Sequence, residues 1–388
     1  MTSDNRWLLP DGIDELLPER AAKVEQLRRQ LLDICGRWGF RYVIPPLVEF
    51  TDSLLVGLGA DLNLLTCKFV DRMSGRTLGV RADITPQVAR IDAHSLGESG
   101  ITRLCYAGST LHSTPQAVTQ GRSPIQLGAE IYGSTSVSAD LEVIELMLEL
   151  LGTLATDRRV ILDIGHVGIV EAVLAASALP RHIEDDVFEA LQRKSQPDLA
   201  AAIAGLDAAL QRRFEALLSL HGDIATLGRA RELLEDMPTA MASLAALERV
   251  VETLQARHPA LDIYVDLTEL RSFRYHTGLV FAAYLEGIGA AVAKGGRYDN
   301  VGEVYGRARP ATGFALDLKT VARVSTRPGT AAPMIAAPED NDPALAERVQ
   351  SLREHGRVVV TAIDGIRDDR CTETLVKHDG EWILVTDD

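Results

Sequence analysis

Ser123-Pro124-Ile125-Gln126-Leu127-Gly128-Ala129-Glu130-Ile131-Tyr132-Gly133 alternates with period two. In an extended segment Gln126, Gly128, Glu130 and Tyr132 fall on one face, and Leu127, Ala129 and Ile131 on the other. The second set reads as a core face. The first holds an amide and a carboxylate on either side of a glycine, a floor for a small polar molecule. A strand over 104–111 precedes it, joined through a polar loop containing Thr114-Pro115-Gln116 and Gly121-Arg122, so the pair is predicted to be a hairpin. From Leu104 to Gly121 there is no Lys, Arg, Asp or Glu, although charged residues make up 24% of the chain.

Upstream, Pro18 opens a helical pattern with Val24, Leu27, Leu31 and Ile34, which stops at Gly36 to Gly39. A short strand from Arg41 runs to Pro45-Pro46. Residues 68–72 and 77–80 read as a hairpin turning at Ser74-Gly75, and a helix begins near Thr85-Pro86 with Asp83 or Thr85 as its cap. Downstream, a helix over 139–154 and a strand over 160–164 lead into an Ala- and Leu-rich stretch, read as a helical insertion over about 168–254. Strand patterns return at 262–267, 278–284, 290–293, 295–299 and 312–318. The expected fold class is α+β: an antiparallel sheet flanked by helices in a domain over 1–324, a linker at 325–332, and a small α/β unit at 333–388.

The 388 residues are 46% hydrophobic, enough for two or three globular domains. Cys35, Cys67, Cys105 and Cys371 are scattered without a CxxC pair, so they read as buried small hydrophobes in a reducing compartment. Nothing in the N-terminal residues reads as a targeting segment, and no run of 18 apolar residues occurs, so a cytoplasmic protein without a membrane span is expected. The net charge is -15, and residues 327–388 hold seven Lys plus Arg against thirteen Asp plus Glu. That balance disfavours nucleic acid as a partner. Walker A, GxGxxG, GxSxG and HExxH motifs are missing, and so is any metal-spaced His/Cys cluster, so no cofactor and no metal are expected.

Five segments taken in order, Leu9-Pro10-Asp11-Gly12, Arg81-Ala82-Asp83-Ile84-Thr85, Gln126-Leu127-Gly128-Ala129-Glu130, Leu270-Arg271-Ser272-Phe273-Arg274-Tyr275 and Gly295-Gly296-Arg297-Tyr298-Asp299, resemble the catalytic domain of histidyl-tRNA synthetase, a class II aminoacyl-tRNA synthetase. The resemblance implies a dimer motif ending at Pro45 or Pro46, a loop at Arg81 to Thr85 that holds the amino group of histidine, and a floor strand carrying Gln126 and Glu130. It places Arg271 where the histidine-specific segment has its arginine. Ala82, Asp83, Ser272, Arg274 and His276 depart from the synthetase pattern, which has Pro, Glu, Gly, Asp and Tyr there. The nucleotide motifs depart further. The Phe-Arg-x-Glu pattern should fall around Thr110-Leu111-His112-Ser113-Thr114, and the final motif reads Gly313-Phe314-Ala315-Leu316-Asp317-Leu318-Lys319-Thr320, so both ATP arginines are missing. His112 and Lys319 are the cations nearest those places, and neither has the bidentate fork of Arg.

A synthetase-like chain without ATP arginines or a full anticodon-binding domain is similar to the regulatory subunit of short-form ATP phosphoribosyltransferase. That resemblance implies no catalysis of its own. It implies a short catalytic subunit as partner in the first step of histidine biosynthesis, histidine as a feedback effector, and a homodimer within a hetero-oligomer. The alternative is a degenerate histidine-activating ligase or a tRNA-acting paralogue. Under the resemblance the candidate histidine-binding residues are Asp83, Thr85, Gln126, Glu130, Arg271, Tyr275 and His276, with no catalytic residue. Asp83 meets the ammonium with Thr85 and Gln126 beside it, Arg271 the carboxylate and Glu130 an imidazole N–H, while Tyr275 and His276 lie near the ring. Without the resemblance these residues read as a helix cap, a solvated sheet face and surface ion pairs.

Overall fold

Val24, Leu27, Leu31, Ile34 and Cys35 form the buried stripe of the helix Pro18–Arg37, which proline opens because its missing N–H is no loss in a first turn. The computed structural model describes residues 7–56, 60–115, 121–154, 157–269, 275–327 and 333–386. The chain divides into two compact units, Met1–Arg327 and Pro328–Asp388.

The first unit is built on a nine-stranded sheet. Its spatial order is Arg41–Tyr42, Thr102–Ser109, Ile125–Tyr132, Ala311–Asp317, Ala293–Arg297, Leu279–Leu285, Val160–His166, Asp262–Asp266 and His221–Gly222. The floor strand Ile125–Tyr132 lies inside this sheet, with Leu127, Ala129 and Ile131 in the main core alongside the Pro18–Arg37 and Val137–Gly152 helices. Ser136 caps the second of these by accepting from the Ser138 N–H.

Two pairings correct the expectation of a wholly antiparallel sheet. Arg41–Tyr42 runs parallel to Thr102–Ser109, and Val160–His166 runs parallel to Asp262–Asp266. Parallel neighbours need a long crossover. Residues 167–261 supply it, so the helical insertion is the connection between two sheet strands rather than an appendage. It is also not wholly helical, since His221–Gly222 pairs antiparallel with Asp262–Asp266 at the sheet edge. The residues expected as two strands at 290–293 and 295–299 form the single strand Ala293–Arg297.

A separate three-stranded sheet, ordered Val48–Phe50, Thr77–Val80 and Cys67–Val70, precedes the short helix Thr85–Arg90. Cys35, Cys105 and Cys371 are buried, whereas Cys67 is half-buried.

In the second unit Met334–Ala337 pairs parallel with Val358–Thr361 and with Cys371–His378, and Glu381–Thr386 closes an antiparallel hairpin. Asp379 and Gly380 at its turn have φ of 48° and 89°, the left-handed pair that a tight hairpin demands. The helix Pro343–Glu354 covers one face through Leu345, Val349 and Leu352. Among the described residues no helix is long and apolar enough to cross a membrane.

Candidate functional site

Glu130 is the centre of the site. Gly313 stands opposite it on one neighbouring strand and Leu104 on the other, while Tyr106 stands opposite Gly128. A Cβ on Gly313 would overlap the Glu130 carboxyl, and one on Gly128 would overlap the Tyr106 hydroxyl, so the bare backbone at these two positions makes the room. The carboxyl is 1% exposed. It accepts hydrogen bonds from Thr85 Oγ1 at 3.1 Å, from Tyr106 OH at 3.0 Å, and from the Tyr298 hydroxyl. Burial pushes its pKa up to about 8; the hydroxyls of Tyr298 and Tyr106 oppose the shift, and the nearby Asp83 adds to it.

Asp83 and Gln126 fix the rim. Gln126 Nε2 donates to Asp83 Oδ1 at 2.7 Å, and Ile84 N donates to Gln126 Oε1 at 2.8 Å. Asp83 Oδ1 also accepts from Thr85 N at 3.0 Å, but the N-cap of the Thr85–Arg90 helix is Ile84 without a side-chain cap bond, so neither Asp83 nor Thr85 is the cap expected from the sequence. Both of these bonds fall on Oδ1, so the second oxygen of Asp83 is not used by them. Tyr275 stacks on Tyr298 with ring centroids 5.1 Å apart, and His276 meets Tyr275 edge-on at 5.4 Å. The His276 ring lies over Gly296, where a Cβ would come within 2.6 Å of it.

Asp83, Thr85, Gln126, Glu130, Tyr275 and His276 thus share one cavity of about 1220 Å³. The remaining candidate, Arg271, lies outside the described residues, as do Leu270 and residues 272–274. Sequence reasoning missed Tyr106 and Tyr298 as partners of Glu130. The signal was present: Tyr298 belongs to one of the quoted segments, and a glycine two residues before a buried carboxylate leaves a gap that a cross-strand aromatic can fill.

The same cavity continues past Gly12, Asp14, Arg20, His112, Ser123, Lys319 and Arg323. Here the cations nearest the missing arginines are committed to the protein. Lys319 Nζ reaches Asp14 Oδ1 at 2.6 Å and Ser123 Oγ at 3.1 Å. Arg122 donates from Nε to the His112 carbonyl at 2.9 Å and from Nη1 to the Asp11 carbonyl at 3.2 Å. His112 Nε2 is 3.0 Å from the Ala82 carbonyl. These contacts strap residues 11–14 to the hairpin loop.

Arg81 is buried and structural. Its Nη1 donates to the Pro45 carbonyl at 2.8 Å and its Nε to the Ser109 carbonyl at 2.9 Å, tying the end of the expected dimer motif to the sheet. Among the described residues, one carboxylate group, Asp163, Asp266 and Glu269, is close enough to hold a cation. The Lys194 ammonium, 2.6 Å from Asp266 Oδ2, supplies positive charge there.

A family model described as histidyl-tRNA synthetase matches residues 12–321, and one described as the ATP phosphoribosyltransferase subunit HisZ C-terminal domain matches residues 332–385. The chain is 47% identical over 392 residues to the ATP phosphoribosyltransferase regulatory subunit of Azotobacter vinelandii, covering 99% of each. It is also 47% identical to the protein of that name from Pseudomonas fluorescens Pf0-1, covering 98% of each. Among solved structures it is similar to an ATP phosphoribosyltransferase regulatory subunit/histidyl-tRNA synthetase from Bacillus halodurans, with a TM-score of 0.83, 27% identity, and coverage of 95% of this chain and 96% of that one. A histidyl-tRNA synthetase from Nostoc shares the fold with a TM-score of 0.78 at 15% identity, covering 98% of this chain and 97% of that one.

Proposed function

Because the chain belongs to the family of ATP phosphoribosyltransferase regulatory subunits, we propose that it acts in the cytoplasm as a homodimer that joins a short catalytic subunit, activates it, and conveys feedback inhibition by histidine. The observation that carries the histidine part is a contrast within one cavity. At one end a buried carboxyl, an amide and two stacked tyrosines are held in place by hydrogen bonds and packing. At the other end Lys319 is engaged by Asp14 and Ser123.

The proposed ligand contacts follow from its chemistry. Asp83 and Thr85 take the ammonium, Gln126 borders it, and Glu130 takes a ring nitrogen, with Tyr275 and His276 against the ring. Arg271 is proposed for the carboxylate. Adenylation would need cationic stabilisation at the α-phosphate, and each donor lost there typically costs about 2.7 to 4 kcal/mol. Two missing arginines leave binding without activation.

Co-expression with a short catalytic phosphoribosyltransferase chain from the same organism tests the proposal. A co-purifying complex whose activity exceeds that of the catalytic chain alone and falls with histidine is expected. Separate elution, with unchanged activity on mixing, would refute it.

A further inference from the structure

We propose, resting on the histidine-pocket reading, that the complex holds a single proton between Glu130 and the ligand's imidazole, so that histidine affinity is limited by pH on both sides. The geometry around Glu130 carries the inference. Thr85 faces it from the short helix, Tyr106 from the adjoining strand, and Tyr298 from the end of Ala293–Arg297. Gly313 faces it with no side chain. Tyr132 follows on its own strand, and Tyr275 and His276 line the same cavity.

The charged side chain that raises the Glu130 pKa is Asp83, an anion. No described Lys or Arg forms an ion pair with Glu130. Among the described residues an ionised carboxylate here would have hydroxyl donors but no ion-pair partner, which is costly in a buried site. The carboxyl therefore keeps its proton at neutral pH, in line with a pKa of about 8. Tyr275 offers a hydroxyl that is buried without a hydrogen-bond partner on the same wall, so a ring with two nitrogens meets a second polar group there.

Proton counting gives the consequence. A free imidazole titrates at about 6.5. Between that value and about 8, Glu130 and the free ligand ring together hold one proton, which sits on Glu130. The complex also holds one, whether a carboxylic acid donates to a neutral ring or a carboxylate accepts from an imidazolium. No proton is exchanged with solvent in this window. In more acid solution the ring arrives with a second proton, which must leave. In more alkaline solution the pocket is ionised and must take one up. Affinity should be flat in the window and fall toward about tenfold per pH unit on either side.

Calorimetric titration of the full chain with histidine, in buffers of differing ionisation enthalpy at about pH 5.5, 7 and 9, reads this proton count directly. Release at the acid end, no exchange near neutrality and uptake at the alkaline end are expected. Glu130→Gln should lose the carboxyl's share of the alkaline uptake, leaving only that of the ligand's amino group, which is common to both proteins. Tyr298→Phe, which removes one donor to the carboxylate, should move the alkaline limb to higher pH. Equal uptake by wild type and Glu130→Gln at about pH 9, or proton exchange by wild type near neutrality, would overturn the shared proton while leaving the histidine pocket intact. No binding at any pH would overturn both.

Discussion

The Lys319 ammonium lies 2.6 Å from Asp14 Oδ1, a contact that closes the N-terminal strap over the far end of the cavity. Lys319 holds Asp14 below the usual carboxylate range against the opposing effect of burial, so the pair is ionic at neutral pH. A lysine so engaged has two of its three donors committed to the protein. The purified chain is therefore expected to give no histidine-dependent pyrophosphate exchange, and Lys319→Arg alone should not restore it, because the hairpin arginine is missing as well. Exchange near the rate of a working synthetase in either protein would contradict this.

Gly313→Ala tests how tightly the floor is built. The added methyl would overlap the Glu130 carboxyl and crowd the Ala129 carbonyl, with three hydroxyl partners keeping Glu130 from moving aside. Overpacking of this kind costs about 1 to 3 kcal/mol. A lower unfolding midpoint is expected, together with histidine binding weakened by at least about tenfold, which corresponds to 1.4 kcal/mol. Unchanged affinity would mean that the ligand does not approach Glu130.

Glu130, which is buried, and His166, which is half-buried, set opposite pH dependences of stability. Glu130 titrates at about 8 in the folded chain against 4.5 unperturbed, so its contribution is present below about 4.5 and is lost as pH rises to about 8. The full loss is roughly 5 kcal/mol at most. His166, held neutral by burial and by the nearby Arg297, titrates at about 4 against 6.5. Its contribution is present above about 6.5 and is lost, by roughly 3 kcal/mol at most, as pH falls to about 4. Denaturant unfolding of Glu130→Gln should show a flatter decline between about pH 5 and 8 than wild type. Parallel curves for the two proteins would reject the Glu130 assignment.

Local order explains how much of this was legible in the sequence. Period two on Ile125–Tyr132 placed Gln126 and Glu130 on one face, because apolar and polar residues alternate along it, but that face is buried over residues 128–132 rather than solvated. The parallel pairing of Val160–His166 with Asp262–Asp266 was not legible, since nothing local to either strand records a partner just over a hundred residues away. The hydroxyl ring has the same origin. Thr85, Tyr106 and Tyr298 meet only when three distant segments fold onto one carboxyl. Arg81 looked like part of a ligand loop, and its real partners, the carbonyls of Pro45 and Ser109, carry no side-chain signature.

The last prediction concerns assembly. Trp7, Leu8, Leu9 and Leu17 are exposed, as are Ile44 and Leu47 beside the prolines that Arg81 holds. Exposed apolar residues concentrated in the expected dimer motif point to a protein interface, and a self-complementary two-fold contact is the commonest solution. Light scattering should therefore give a dimer at micromolar concentration. Ile44→Asp combined with Leu47→Asp should shift it to monomer while preserving the circular dichroism spectrum, because neither side chain contributes to the core. Arg81→Met separates interface from pocket: losing its bonds to the Pro45 and Ser109 carbonyls frees the end of the motif without touching Glu130. Weaker dimerisation with histidine affinity changed less than about threefold, roughly 0.7 kcal/mol, is the expected outcome. A wild-type chain that stays monomeric, or an Ile44→Asp/Leu47→Asp chain that stays dimeric, would place the interface elsewhere.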